Sequence, residues 1–345
     1  MDERRPDHAQ IPHETAPAVA AFTLRTEEPD EFAGALLGGS FEYLRLPGRR
    51  FAATLRTLRL GDLLIQSADD GAHVSRAAFH SGIAGLLVPL HYDGDTATVN
   101  GVRSTRSNAF LAPGGLEFAA VAPDSLGWAA LALPMTLLEE LAELAPPALR
   151  KAATIRTLEL PGASLSRLSA VLGAAARMTE HVPAALDTPG TAEALAASIR
   201  EALAESLAPG IGIVPQRRAT RNAMRVVRDA EAFLHAHLDR PLHRDDLCAA
   251  LGVSRRKLHD AFVSTVGLTP PAYLKTRRLT LVRRALKAAP PERSLVKSIA
   301  LAHGFWHLGY FAKDYRALFG ELPSETLDKV QPRDMRDRPG RLRIA

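Results

Sequence analysis

Cysteine is almost missing from this chain: Cys248 is the only one in 345 residues. That excludes an internal disulfide and a zinc site built from several thiolates, and it fits a reducing compartment. No run of 18 apolar residues occurs, so no membrane-spanning helix is expected. The acidic amino-terminal residues lack the apolar core of a secretory signal, and the expected location is the cytoplasm. A glycine-rich phosphate loop, a His-Glu metal pair and a nucleophile elbow are also missing, so no enzyme, cofactor or metal is expected. Hydrophobic content of 46% and charged content of 23% are ordinary for globular proteins, and the length allows two or three domains with their own cores.

The net charge of +5 is unevenly placed. Residues 1–216 carry 17 basic and 25 acidic groups, residues 217–331 carry 21 and 11, and the tail beyond adds 5 Arg and 2 Asp. Only the back half is suited to meet a polyanion.

Residues 1–31 are polar, acidic and rich in Pro, and read as a mobile arm. From Phe41 to Pro134, short apolar runs alternate with turn residues. Phe41–Leu46 precedes Pro47-Gly48, Phe51–Leu60 precedes Gly61-Asp62, and Gly85–Tyr92 precedes Asp93-Gly94-Asp95. Phe110–Ala112, Leu116–Val121 and Gly127–Leu133 follow the same pattern. This spacing predicts an antiparallel β sandwich or small barrel. The period then turns helical. Met135–Ala145 is a short apolar helix; Ser164–His181 carries the stripe Leu165, Leu168, Leu172, Ala175; Thr191–Leu207 carries Leu195, Ile199, Leu203. Such stripes either pack on their own domain or pair with a second copy, which would make a homodimer. The regulatory region is therefore taken as 32–208, the linker as 209–221, an all-α domain as 222–331 and a basic tail as 332–345. The fold class is α+β and multidomain.

Within the all-α domain, two short patterns recur about 50 residues apart. The first runs from Asp246 through Gly252 to Phe262, the second from Ile299 through Gly304 to Tyr315. In each, apolar residues would hold two helices at a fixed crossing angle around a glycine turn. Gly suits that turn because it adopts positive φ beyond a helix end. Ser254 and Ser294 are N-cap candidates. Such helix-turn-helix pairs present the second helix to a major groove, and two of them can read adjacent segments of one duplex. The first reading face carries Arg255, Arg256, His259 and Asp260. Arginine bonds guanine O6 and N7 bidentately, worth about 1–3 kcal/mol of discrimination. Asp260 either accepts from cytosine or orients Arg256 at the i,i+4 spacing. The second face has Trp306, His307, Leu308, Gly309, Ala312 and Lys313. It either reads bases through His307 and Lys313, with Leu308 against a thymine methyl, or positions the protein on phosphates and shape. A helix from Pro271 to Ala288 joins the pair, and Lys275, Arg278, Arg283 and Arg284 are its candidate phosphate contacts.

These residues resemble the AraC/XylS family of bacterial transcription regulators. The resemblance is carried by Leu247-Cys248-Ala249-Ala250-Leu251-Gly252-Val253-Ser254, Gly267-Leu268-Thr269-Pro270 with Tyr273-Leu274 and Arg278-Leu279, and by Ile299-Ala300, Gly304-Phe305, Phe311, Tyr315-Arg316 and Phe319-Gly320-Glu321-Leu322-Pro323-Ser324. It covers about residues 220–330. It implies a seven-helix DNA-binding domain whose two motifs are bridged by a long helix. The stretch 305–311 is similar to the subgroup around the ethanolamine-operon regulators. The front half resembles the family's regulatory domains loosely: a cupin-like barrel that takes a small effector and helps dimerise. His73, His80 and His91 are not set as the cupin metal motif requires, so no metal is implied, and no effector-binding residue is identified. The implied function is an effector-responsive, sequence-specific transcription regulator that binds double-stranded DNA and recruits RNA polymerase. The alternative is an architectural or purely repressive DNA-binding protein without an effector.

Overall fold

The computed structural model describes residues 19–92, 97–143, 155–207, 212–214, 218–240, 242–289 and 295–330. The chain divides into two compact units, with the main boundary between Gln216 and Arg217.

The amino-terminal unit is built on two antiparallel sheets. Its strands are β1 (Val19–Thr26), β2 (Gly39–Arg45), β3 (Ala53–Leu60), β4 (Leu63–Asp70), β5 (His73–Phe79), β6 (Ile83–Tyr92), β7 (Thr98–Val99), β8 (Val102–Arg103), β9 (Asn108–Pro113), β10 (Glu117–Ala122), β11 (Leu126–Pro134), β12 (Arg156–Glu159) and β13 (Gly212–Val214). The eight-stranded sheet has the order β1-β3-β4-β11-β6-β9-β12-β13, the five-stranded one β2-β5-β10-β7-β8. β3 and β4 form a hairpin in which Leu60 faces Leu63. The two residues between them are Gly61-Asp62, and Gly61 takes the positive φ of 61° that a two-residue hairpin turn demands.

Among the described residues, the α-helices of this unit are α1 (Pro29–Ala35), α2 (Met135–Glu143), α3 (Gly162–His181) and α4 (Thr191–Ser206). The main core lies between the outer face of the large sheet and α3 and α4. It joins Leu58, Ile65, Leu86, Leu111 and Leu131 to Leu165, Leu168, Leu172, Ile199 and Leu203. The two helical stripes are thus consumed by their own sheet, the first of the two alternatives the sequence left open for them. A second core, with Leu64, Phe79, Phe110 and Phe118, fills the space between the two sheets. Beside it lies a cavity of about 70 Å³.

Two boundaries differ from expectation. Val19–Thr26, assigned to a mobile arm, pairs with β3 over its whole length from Val19↔Leu60 to Thr26↔Ala53. The stretch assigned as linker contains β13, bonded to β12 from Thr157↔Val214 to Glu159↔Gly212. In both cases the backbone hydrogen bonds of a short segment are satisfied at a sheet edge. Residues 1–18, the tail 332–345 and Ser294 lie outside the described residues.

The carboxy-terminal unit is helical: α5 (Arg218–Ala236), α6 (Arg244–Leu251), α7 (Arg255–Val266), α8 (Pro270–Lys287), α9 (Val296–Ala302), α10 (Leu308–Phe319) and α11 (Pro323–Val330). α5 begins inside the expected linker. Two clusters share α8. On its first half, Tyr273 meets Phe262 edge-on with ring centroids 5.5 Å apart, and its hydroxyl donates to the buried Glu231 carboxylate. On its second half, Leu279, Val282 and Leu286 pack against Ala300, Phe311, Tyr315 and Leu327. The long helix is therefore the common wall of two small cores.

Candidate nucleic-acid interface

The turn between α6 and α7 is made by local chemistry. Asp246 accepts a hydrogen bond from the backbone N–H of His243 at 2.9 Å, fixing the start of α6. Gly252 ends α6 with φ 61°, and the N–H groups of Gly252 and Val253 return to the carbonyls of Ala249 and Cys248. Ser254 then opens α7, its hydroxyl accepting from the Lys257 N–H at 3.2 Å. Leu247, Leu258, Ala261 and Phe262 are buried beneath. Arg255, Arg256, His259 and Asp260 are exposed together on the outer face of α7.

They are not equivalent. The guanidinium of Arg255 makes two hydrogen bonds to Asp245, of 2.7 and 2.5 Å. That bond, chiefly, raises the Arg255 pKa and lowers that of Asp245. Arg256 is 92% exposed, with Nε 3.6 Å from Asp260 Oδ2. That distance is beyond a hydrogen bond, so Asp260 biases the arginine without holding it. Arg256 is left extended toward solvent.

The second pair, α9 and α10, turns at Gly304. Its φ is 74°, and an added Cβ would lie 2.8 Å from the Leu238 carbonyl oxygen and 3.0 Å from that of Arg240. Only glycine fits there. Leu308 is half-buried against the core below α10, so it does not stand out to meet a thymine methyl. His307 and Lys313 are exposed. So are Trp306 at 62% and Tyr310 at 75%, with the Tyr310 ring edge-on to His307. Tyr310 had no role in the sequence reading. The available signal was its place one turn before Lys313 on the face away from Phe311 and Tyr315.

The four candidate cations of α8 separate. Lys275 is exposed and pairs with Asp314 of α10 at 3.0 Å. Arg278 is partly buried and donates to the Arg240 carbonyl at 3.0 Å; burial lowers its pKa. Arg284 is half-buried and already engaged within the protein. Arg283 is 4% exposed, donates to Glu321 at 2.8 Å and lies 4.6 Å over the Phe319 ring. The expectation of a phosphate contact by Arg283 is corrected: its guanidinium is a core strut linking α8 to the loop before α11. Glu321 also accepts from Lys329 and Thr326. Burial would raise its pKa, but the bonds from Lys329, Thr326 and Arg283 outweigh it and bring the carboxyl to about 2.

Among the described residues no helix is long and apolar enough to cross a membrane, and no cluster of three metal-ligating side chains occurs. A capped helix behind a glycine turn, with cations fanned over an intact core, defines a helix-turn-helix DNA-binding domain. The protein family described as "Helix-turn-helix domain" matches residues 247–329. The chain is 38% identical over 95 residues to the XylDLEGF operon transcriptional activator of Pseudomonas putida, covering 28% of this chain and 30% of that one. It is 39% identical over 105 residues to the probable thc operon regulatory protein of Rhodococcus erythropolis, covering 30% and 32%. A solved structure of a probable AraC family transcriptional regulator from Rhodopseudomonas palustris is 39% identical, covering 31% of this chain and 99% of that one, with a TM-score of 0.28. The carboxy-terminal unit belongs to the AraC/XylS family. The chain spans about a third of the length of these two curated relatives.

Proposed function

We propose that the whole chain is a sequence-specific transcription regulator of the AraC/XylS type, acting on double-stranded DNA in the cytoplasm. The α6–α7 and α9–α10 pairs serve as its two helix-turn-helix motifs. Arg256 and His259 read bases, with Asp260 steering Arg256. Arg255 reaches DNA when it leaves Asp245. On the second motif, His307 and Lys313 are joined by Trp306 and Tyr310. Lys275, with Arg284 and Arg278 near it on α8, supplies positive potential toward phosphates. The amino-terminal unit is a cupin-like domain, and the cavity between its sheets takes a small-molecule effector. RNA polymerase is the partner through which bound DNA is turned into transcription. A second copy of the chain would dock by a surface other than the α3 and α4 stripes.

The observation that carries this reading is the state of Arg256: a guanidinium 92% exposed, in the first turn of a capped helix whose other face is sealed in the core. The experiment is protection of genomic DNA fragments by the full-length chain against excess non-specific duplex. The reading predicts discrete protected sites on one side of the helix that weaken steeply with salt. Uniform coating of all fragments, with equal loss to any competitor, would instead support an architectural role.

A further inference from the structure

The cavity of the amino-terminal unit has one polar corner. Most of its wall is apolar, from residues such as Leu64, Phe79, Phe110 and Phe118. Among the described residues no Lys or Arg lines it, and the polar side chains that do are Tyr43, Gln66, His73, Ser75, Ser104 and Trp128. Gln66 is fully used: it accepts from the Leu37 N–H and donates to Thr57 and the Ala35 carbonyl. The Tyr43 hydroxyl and Ser75 bond each other. The Trp128 indole N–H donates to Asp70 Oδ2 at 2.8 Å.

His73 differs. It is 2% exposed, and its Nδ1 lies 2.9 Å from the carbonyl oxygen of Gly71. A carbonyl can only accept, so Nδ1 carries the proton. In the neutral ring Nε2 is then a lone-pair acceptor, on the opposite edge of a ring that lines the cavity. It has no hydrogen-bond partner among the described residues. Behind it stands the fully buried Asp70, Oδ1 3.7 Å from Nδ1 and without a hydrogen bond of its own. The ring is held in this attitude by Tyr43, its centroid 4.6 Å away. An orphaned acceptor in an apolar cavity is costly unless something donates to it. An anion is opposed there, since a second acceptor would meet the lone pair and the carboxylate behind it, with no cation to offset them.

We propose that this cavity binds a small, uncharged, mainly apolar molecule bearing one hydroxyl, with the hydroxyl donating to His73 Nε2. About 70 Å³ accommodates several water-sized bodies, so the size class is that of a phenol or a cyclic alcohol. Gln66 and the Tyr43–Ser75 pair are positioning residues. This rests on the reading of the amino-terminal unit as an effector domain.

The test uses the full chain with Trp306→Phe, which leaves cavity-lining Trp128 as the sole tryptophan of the two. Its fluorescence is titrated with phenol, cyclohexanol, anisole and benzoate, and DNA binding of the native chain, with Trp306 in place, is measured in parallel. Phenol and cyclohexanol should give saturable changes, with anisole and benzoate at least about 10-fold weaker. His73→Phe should erase the preference for phenol over anisole. The ligand series on unaltered His73 stands alone should that variant not fold. Benzoate or anisole equalling phenol would overturn the proposal, as would no saturable change from any of the four up to about 10 mM. DNA binding that persists beside such a failure would remove the ligand class and leave the DNA reading standing; loss of DNA binding alone would do the reverse.

Discussion

Arg255 and Asp245 are joined by two hydrogen bonds, tying the first turn of α7 to the first turn of α6. The pair stands on the face proposed to meet DNA, so it withholds a cation from phosphate and adds an anion beside it. Asp245→Ala should release Arg255. Affinity for all duplexes should rise several-fold, the advantage of the preferred site should shrink, and the salt slope should steepen by about one phosphate contact. Equilibrium binding at three salt concentrations checks this. Unchanged affinity would show that the pair stays outside the interface.

Arg283 and Arg256 should part company in a stability assay. Arg283→Ala leaves Glu321 without its buried partner and removes the contact with Phe319, which should cost about 3 kcal/mol. Arg256→Ala removes an exposed side chain and should change stability by less than about 0.5 kcal/mol. Urea denaturation of the two variants measures both.

Acid should loosen the α8–α11 junction by a calculable route. Glu321 ionises at about 2 in the folded chain against an ordinary 4.5. A lowered folded pKa contributes stability that is fully present above the ordinary value and fades as pH falls from about 4.5 toward 2. The stability gap between the native chain and Glu321→Gln should be constant from pH 5 to 7 and should narrow below that. A gap that widens in acid would contradict the assignment.

Two glycines five residues apart, Gly304 and Gly309, should respond to alanine with different sizes of effect. At Gly304 a Cβ meets the Leu238 carbonyl at a positive φ, so Gly304→Ala should cost more than about 1 kcal/mol. At Gly309, in the first turn of α10, nothing lies within 4 Å of an added Cβ. Gly309→Ala should be neutral or stabilise by a few tenths of a kcal/mol. Thermal melts of both variants report the difference.

Tyr310 is 75% exposed and contributes little to the core, so Tyr310→Ala should leave the melting temperature in place. If α10 lies against DNA, the same change should weaken binding several-fold. A variant with native affinity would restrict recognition to α7.

The helical unit was largely legible in the sequence, because Gly252, Ser254 and the apolar residues of α7 are local signals that agree with one another. Arg283 was misplaced although the sequence held the clue. It falls on the stripe Leu279, Val282, Leu286, four residues after the first and three before the last, which is the buried side of α8. Charge was given precedence over period. In the front unit β4 and β5 went unnoticed, since Gln66, Ser67, Asp70, His73 and Ser75 break the apolar pattern. They are buried polar residues, and their partners come from distant strands and the Gly71 turn. Such pairing is a product of topology, and with it went the one corner of the cavity that has chemistry.

The central claim is that the outer face of α7 reads base sequence. The direct measurement is binding of the native chain and Arg256→Ala to a set of duplexes carrying every single-base change in a protected site. The account predicts that the variant loses discrimination at one base pair, by about 1–3 kcal/mol, and keeps the native profile elsewhere. Profiles that superimpose at every position would contradict it.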